Sequence, residues 1–146
     1  MFEDEIEALI KTYDRPFEFK PTHSAIGNCI ECYFTDTDNY AERIDSWLTI
    51  YSAFEDNRIV GLMLENIKTL LFAYDTLGLK CRTHKDSNTI YVHAMLANIP
   101  WVDPRAAKLE PYRNLLRMLR NITGATEATV ELERHPYLGG LSDHSI

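Results

Sequence analysis

Cys29 and Cys32 in NCIECYF stand at C-x-x-C spacing, and in CRTH Cys81 stands three residues before His84. Thiolates and imidazoles are favoured zinc donors, and two such pairs could close a tetrahedral site. The competing reading is three buried thiols and a loop histidine. If NCIECYF is a strand, its side chains alternate across the sheet, so Cys29 shares a face with Glu31 and Tyr33 while Cys32 joins Ile30 and Phe34. The two sulfurs then point apart. Zinc knuckles avoid this by placing the pair in a tight turn, commonly helped by glycine or proline, and neither lies within or just after this one. Cys81 and His84 meet the same objection if LKCRT is a strand. The thiol reading is favoured, no cofactor is implied, and Cys29, Cys32, Cys81 and His84 stand as the alternative metal set.

Asp36 and Asp38 in FTDTDNY follow an apolar strand, an arrangement similar to the D-x-D opening of haloacid-dehalogenase phosphatases. Tyr40 stands where that family favours threonine or valine, and its later lysine and acidic motifs are missing. As a calcium loop the stretch fails too, because Trp47 holds the position that needs a bidentate glutamate. None of the five histidines sits in a nucleophile-elbow, metalloprotease or paired H-x-T pattern, and no glycine-rich phosphate loop occurs. A small metal-dependent hydrolase built on Asp36, Asp38 and a histidine such as His93 remains the alternative function.

The most coherent constellation is PYRNLLRMLRN. Arg113, Arg117 and Arg120 recur at i, i+4 and i+7 and line one helix face, while Leu115, Leu116, Leu119 and Ile122 line the opposite side. Arg105 and Lys108 extend the basic strip. Guanidinium groups in a row match carboxylate or phosphate geometry, and Tyr112 and Trp101 are placed nearby as aromatic partners. The net charge of −7 and the small footprint disfavour duplex nucleic acid. Residues 1–66 hold 14 acidic and 5 basic side chains, a balance of −9, against 8 acidic and 10 basic in residues 67–146, a balance of +2. The halves attract each other, within one copy or between copies, and a homo-oligomer is expected.

These groups need elements to hold them. A chain of 146 residues, 45% hydrophobic, fits one domain over 1–146. Residues 3–13 read as a helix with Ile6, Leu9, Ile10 and Tyr13 at helical spacing. Asn28–Thr35 reads as a strand. In SWLTIYSAFEDNRIVGLMLENIK an alternating run, a turn at Glu55–Asn57 and a second apolar run make a β-hairpin. From Asn66, read as an N-cap, the period becomes helical through Leu77, with Gly78 as the left-handed cap. LKCRT and TIYVHAML predict a second hairpin, ANIPWVDP a proline-marked loop, and Arg105–Leu109 a short turn. A helix follows from Glu110 or Pro111 to Ile122, and then a final strand over Thr126–Glu133. Residues 136–146 read as a mobile tail.

The sum is an α+β domain: a mainly antiparallel sheet of about five or six strands, including two hairpins, with two longer helices on one face. No run is long and apolar enough for a membrane span, and the acidic MFEDEIEALIKTY is not a secretory leader, so a cytoplasmic protein with no membrane partner is expected. Residues 33–71, with an L-T-I-Y strand, an acidic turn and an I-V-G return strand leading into a helix, resemble small bacterial and viral hairpin domains of unknown function. That resemblance implies a hairpin and a bacterial or phage source, and no activity. The sequence therefore points to a non-enzymatic binding protein that holds a nucleotide-like anion or an acidic protein surface through the arginine strip.

Overall fold

The computed structural model describes residues 20–84, 86–121 and 128–133. The expected N-terminal helix 3–13, the helix end at Ile122, and the tail 136–146 lie outside them. Five strands, β1 (Thr22–Ser24), β2 (Cys29–Tyr33), β3 (Asn39–Arg43), β4 (Leu48–Ala53) and β5 (Ile59–Glu65), form one antiparallel sheet in the order β1-β2-β5-β4-β3. Two short strands, β6 (Thr89–Tyr91) and β7 (Thr129–Glu131), pair separately. The helices are α1 (Ile67–Leu77), α2 (Val92–Val102) and α3 (Glu110–Asn121), with a 3-10 turn over Pro104–Lys108. The class is α+β. At 11, 11 and 12 residues the three helices are of nearly equal length, so no longer pair stands out.

Strand alternation sorts the sheet into two faces. Ile30, Cys32, Leu48, Ile50, Leu62 and Leu64 lie on the helix side and are buried in one cluster with Leu70 and Tyr74 of α1, Met95, Leu96 and Ile99 of α2, and Tyr112, Leu115 and Leu119 of α3. The Tyr74 hydroxyl donates to the Met95 carbonyl at 2.6 Å, which satisfies the one polar atom its buried ring carries. A β-bulge beside Tyr51 and Ser52 offsets β4 against β5, and Val60 joins Tyr51 and Ala53 in a smaller cluster.

The expected β4–β5 hairpin and α1 are present. Asn66 is the N-cap residue of α1, as expected, and its carbonyl accepts the Leu70 N–H at 3.1 Å, but it takes a left-handed conformation (φ 56°) and makes no side-chain cap bond; its side chain donates to the Ser46 carbonyl. Asn28, just before the neighbouring strand β2, supplies the side-chain acceptor instead, its Oδ1 accepting the Lys68 N–H at 2.9 Å. Gly78 closes α1 at φ 71°, where a side chain would be strained.

The second hairpin is rudimentary. Arg82 bridges Ile90, and Tyr91 N–H donates to the Cys81 carbonyl at 2.8 Å, but the chain turns helical at Val92. VHAML is thus the first turn and a half of α2, not a strand. ANIPWVDP is mostly helix as well. Pro100 sits in the last turn of α2; it lacks the N–H that would donate to the Leu96 carbonyl, and the helix still closes after it with Asp103 N–H on the Ile99 carbonyl at 2.8 Å. Among the described residues no helix is long and apolar enough to cross a membrane.

Candidate functional site

Helix α3 begins with Glu110 in its first turn, next to the positive end of the helix dipole, and Pro111, whose missing N–H costs nothing there. Tyr112, Leu115 and Leu119 are buried, whereas Arg113, Arg117 and Arg120 are exposed. Apolar and cationic residues are therefore segregated onto two faces of one helix. Burying the first face fixes the second.

The start of α3 is tied to the sheet by a polar bracket. The Tyr112 hydroxyl donates to Asp45 Oδ2 at 2.7 Å, and Asp45 Oδ1 accepts the Trp47 and Leu48 N–H groups at 2.8 and 2.9 Å. Trp47 Nε1 donates to Asp103 Oδ2 at 3.1 Å, and Arg105 donates to Asp103 Oδ1 through Nε at 3.1 Å. Burial, reinforced by the bond to Asp45, pushes the Tyr112 phenol far above its ordinary range, so it stays a donor. The Arg105 and Trp47 hydrogen bonds hold the Asp103 carboxyl below its usual range.

The sequence-derived ligand set is divided by this geometry. Arg105, Lys108 and Trp101 are exposed, Trp101 by 72%. Tyr112 is 2% exposed, with its ring in the core and its hydroxyl on Asp45, so it is an anchor and not a stacking surface. Arg113 reaches the Ala107 carbonyl at 3.4 Å, and Arg117 and Arg120 make no hydrogen bond or ion pair among the described residues. His93, in the first turn of α2, has its imidazole held below its ordinary pKa first by burial and then by the charge of the Arg120 guanidinium. A cleft of about 470 Å³ is lined by Thr83, His84, Asp86, Thr89, Tyr91 and Thr129, and by none of the arginines.

Cys29 and Cys32 lie on opposite faces of β2, Cys32 in the core, and Cys81 is buried; all three thiols are free. Among the described residues no group of three histidine, cysteine, aspartate or glutamate side chains is placed to hold a metal ion. Asp36 and Asp38 are exposed on the β2–β3 connection, and His93 lies on a helix instead of the expected strand.

One polar cluster was not anticipated. On the sheet face away from the helices, the Tyr51 hydroxyl donates to Glu31 Oε2 at 2.5 Å, Tyr33 stacks on Tyr51 at 4.9 Å, and Arg43 lies 3.7 Å from Glu65. Burial, then the bond to Glu31, raises the Tyr51 phenol far above its ordinary range, so this dyad holds its proton on the tyrosine. Face parity in NCIECYF and LTIYSA put these residues on one side; only the strand order and register bring them together.

The fold is an α+β domain, and one face of α3 carries three exposed arginines, Arg113, Arg117 and Arg120. No family model, curated protein or solved structure matches the chain.

Proposed function

We propose that the protein is a non-enzymatic binding domain that holds an acidic protein surface on the Arg113, Arg117 and Arg120 face of α3 and works as a homo-oligomer. The observation that carries this reading is a row of exposed guanidinium groups fixed in place by the buried side of the same helix, with Arg117 and Arg120 unpaired among the described residues. A row of exposed side chains along a helix suits a polyanionic surface better than a small molecule, which is best held in a concavity. The cleft of Thr83, Asp86 and Tyr91 is lined by none of these arginines, and the tyrosine that could have stacked on a base is buried. Nucleotide binding is thereby the weaker form of the reading.

Titration of labelled polyglutamate into the protein tests it. Exposed arginine–carboxylate pairs contribute about 0.5 kcal/mol each, so replacing Arg113, Arg117 and Arg120 together with alanine weakens binding about tenfold. Binding also weakens as salt rises. A folded triple variant that binds polyglutamate as tightly as the parent overturns the proposal.

A further inference from the structure

The two acidic runs of the first half meet at one end of the sheet. In the order β1-β2-β5-β4-β3, the link from β2 to β3 must cross the ends of β5 and β4, three strand spacings or about 14 Å. It lies against the β4–β5 turn: Phe54 N–H donates to the Asp38 carbonyl at 3.3 Å, the Tyr40 hydroxyl donates to Asn57 Oδ1 at 2.9 Å, and the Tyr40 and Phe54 rings are 5.3 Å apart. Asp36, Asp38, Glu55 and Asp56 are all exposed on this knuckle. Arg58 lies 3.7 Å from Asp56 and offsets part of the charge. Phe54, 67% exposed in the same turn, adds an apolar contact of the kind that sits inside a charged rim.

The helix that carries the cationic face is anchored at the other end. Tyr112 is anchored on Asp45, three residues before β4 begins, whereas the knuckle follows the last residue of β4, about 17 Å farther along the strand. At about 100° per residue, the middle of the arginine face is turned about 135° from the middle of the Tyr112, Leu115 and Leu119 face. It looks away from that buried face. Among the described residues no ion pair joins it to the knuckle. From Arg113 to Arg120 the face runs about 10 Å, comparable with the acidic row of about 14 Å.

We infer that the acidic surface held by α3 is the β2–β3 and β4–β5 knuckle of a second copy of this chain, so that copies associate head to tail. The inference rests on the proposed reading of α3 and names its partner. A contact of this kind uses two different patches, so each pair keeps one unused patch of each sign and can add further copies until a ring closes.

Mixing variants tests it. One protein carries Arg113→Ala, Arg117→Ala and Arg120→Ala; the other carries Asp36→Asn, Asp38→Asn, Glu55→Gln and Asp56→Asn, near-isosteric changes at exposed positions. By analytical ultracentrifugation at low salt the parent self-associates, and at about 0.5 M salt its association weakens at least tenfold. Either variant by itself stays monomeric. The two mixed form a one-to-one pair that grows no further, since only one matched contact remains. A parent that is monomeric at low salt, a variant that self-associates like the parent, or a mixture that stays monomeric overturns the inference. Polyglutamate separates the failures. If the knuckle variant and the parent bind it equally and the arginine variant does not, the reading of α3 stands while the self-association falls; if the arginine variant binds it like the parent, both fall.

Discussion

Replacing Tyr112 by phenylalanine removes one oxygen and leaves the ring that packs in the core. The hydroxyl is the only group of α3 that reaches Asp45, at 2.7 Å, and Asp45 keeps its two backbone donors from Trp47 and Leu48 when it goes. No bare charge is stranded. The loss is therefore the net value of one hydrogen bond to a carboxylate in a partly buried setting, about 1.5 kcal/mol. For a chain of this size that corresponds to a fall in Tm of about 5 °C. Urea unfolding with an unchanged m value gives the free energy directly. The same variant bears on function, because the phenol does not lie on the arginine face. Polyglutamate affinity is expected to stay within about twofold of the parent, below 0.5 kcal/mol. A variant with the parental Tm and weakened binding would show that the hydroxyl touches ligand, and would refute the anchoring role drawn here.

Gly61→Ala drives a new methyl to 2.8 Å from the Tyr33 ring and 2.9 Å from the Cys32 carbonyl. The backbone oxygen cannot move aside, so a loss of about 1–3 kcal/mol is expected, read from the urea midpoint. His23 Nδ1 accepts the Glu133 N–H at 2.8 Å, which requires neutral imidazole on that nitrogen. Burial and the Lys68 charge hold its folded pKa below 6.5 against the pull of the Glu133 carboxylate, so the unfolded chain binds the proton first. Stability is accordingly present above 6.5 and lost as pH falls below it. His23→Gln, which keeps an acceptor and cannot titrate, should show a shallower loss of urea midpoint between about pH 7.5 and 5.5. Burial first, then Glu31, pushes the Cys32 thiol up to about 12, and burial raises Cys81 and Cys29 as well. Slow reaction of the native protein with a disulfide reagent at about pH 8, with half-buried Cys29 modified first and all three thiols released by denaturant, is the expected order.

The parts of the fold legible in the sequence are those where one period dominates. LTIYSA and IVGLMLE flank a turn of polar residues, and Ile67, Leu70 and Tyr74 mark one side of a helix, so β4, β5 and α1 follow from pattern. TIYVHAML fails because its apolar residues satisfy both periods, and Tyr91, at the helix start, offers no capping side chain to mark the change. NYAER was invisible as a strand: β3 is an edge, three of its five residues are exposed, and no apolar alternation survives. For the site, the arginine spacing was readable because helix geometry is local. Tyr112 is ambiguous in the sequence: its offset of three from Leu115 places it on the core side, where the structure buries it, while its position beside arginines suggests a stacking group. The Glu31–Tyr51 bond, the Asp45 bracket and the acidic knuckle depend on which strands pair and in what register, and no local spacing carries that.

The central claim is that acidic surfaces are held by the exposed face of α3. Side-chain nitrogen spectra of the arginines, recorded while polyglutamate is added, test it most directly. The Nε–Hε signals of Arg113, Arg117 and Arg120 are expected to shift together and saturably, while those of Arg43 and Arg82, paired with Glu65 and Asp75, stay in place. Saturable shifts confined to the cleft of Thr83, Asp86 and Tyr91, with the α3 arginines unmoved, would contradict it.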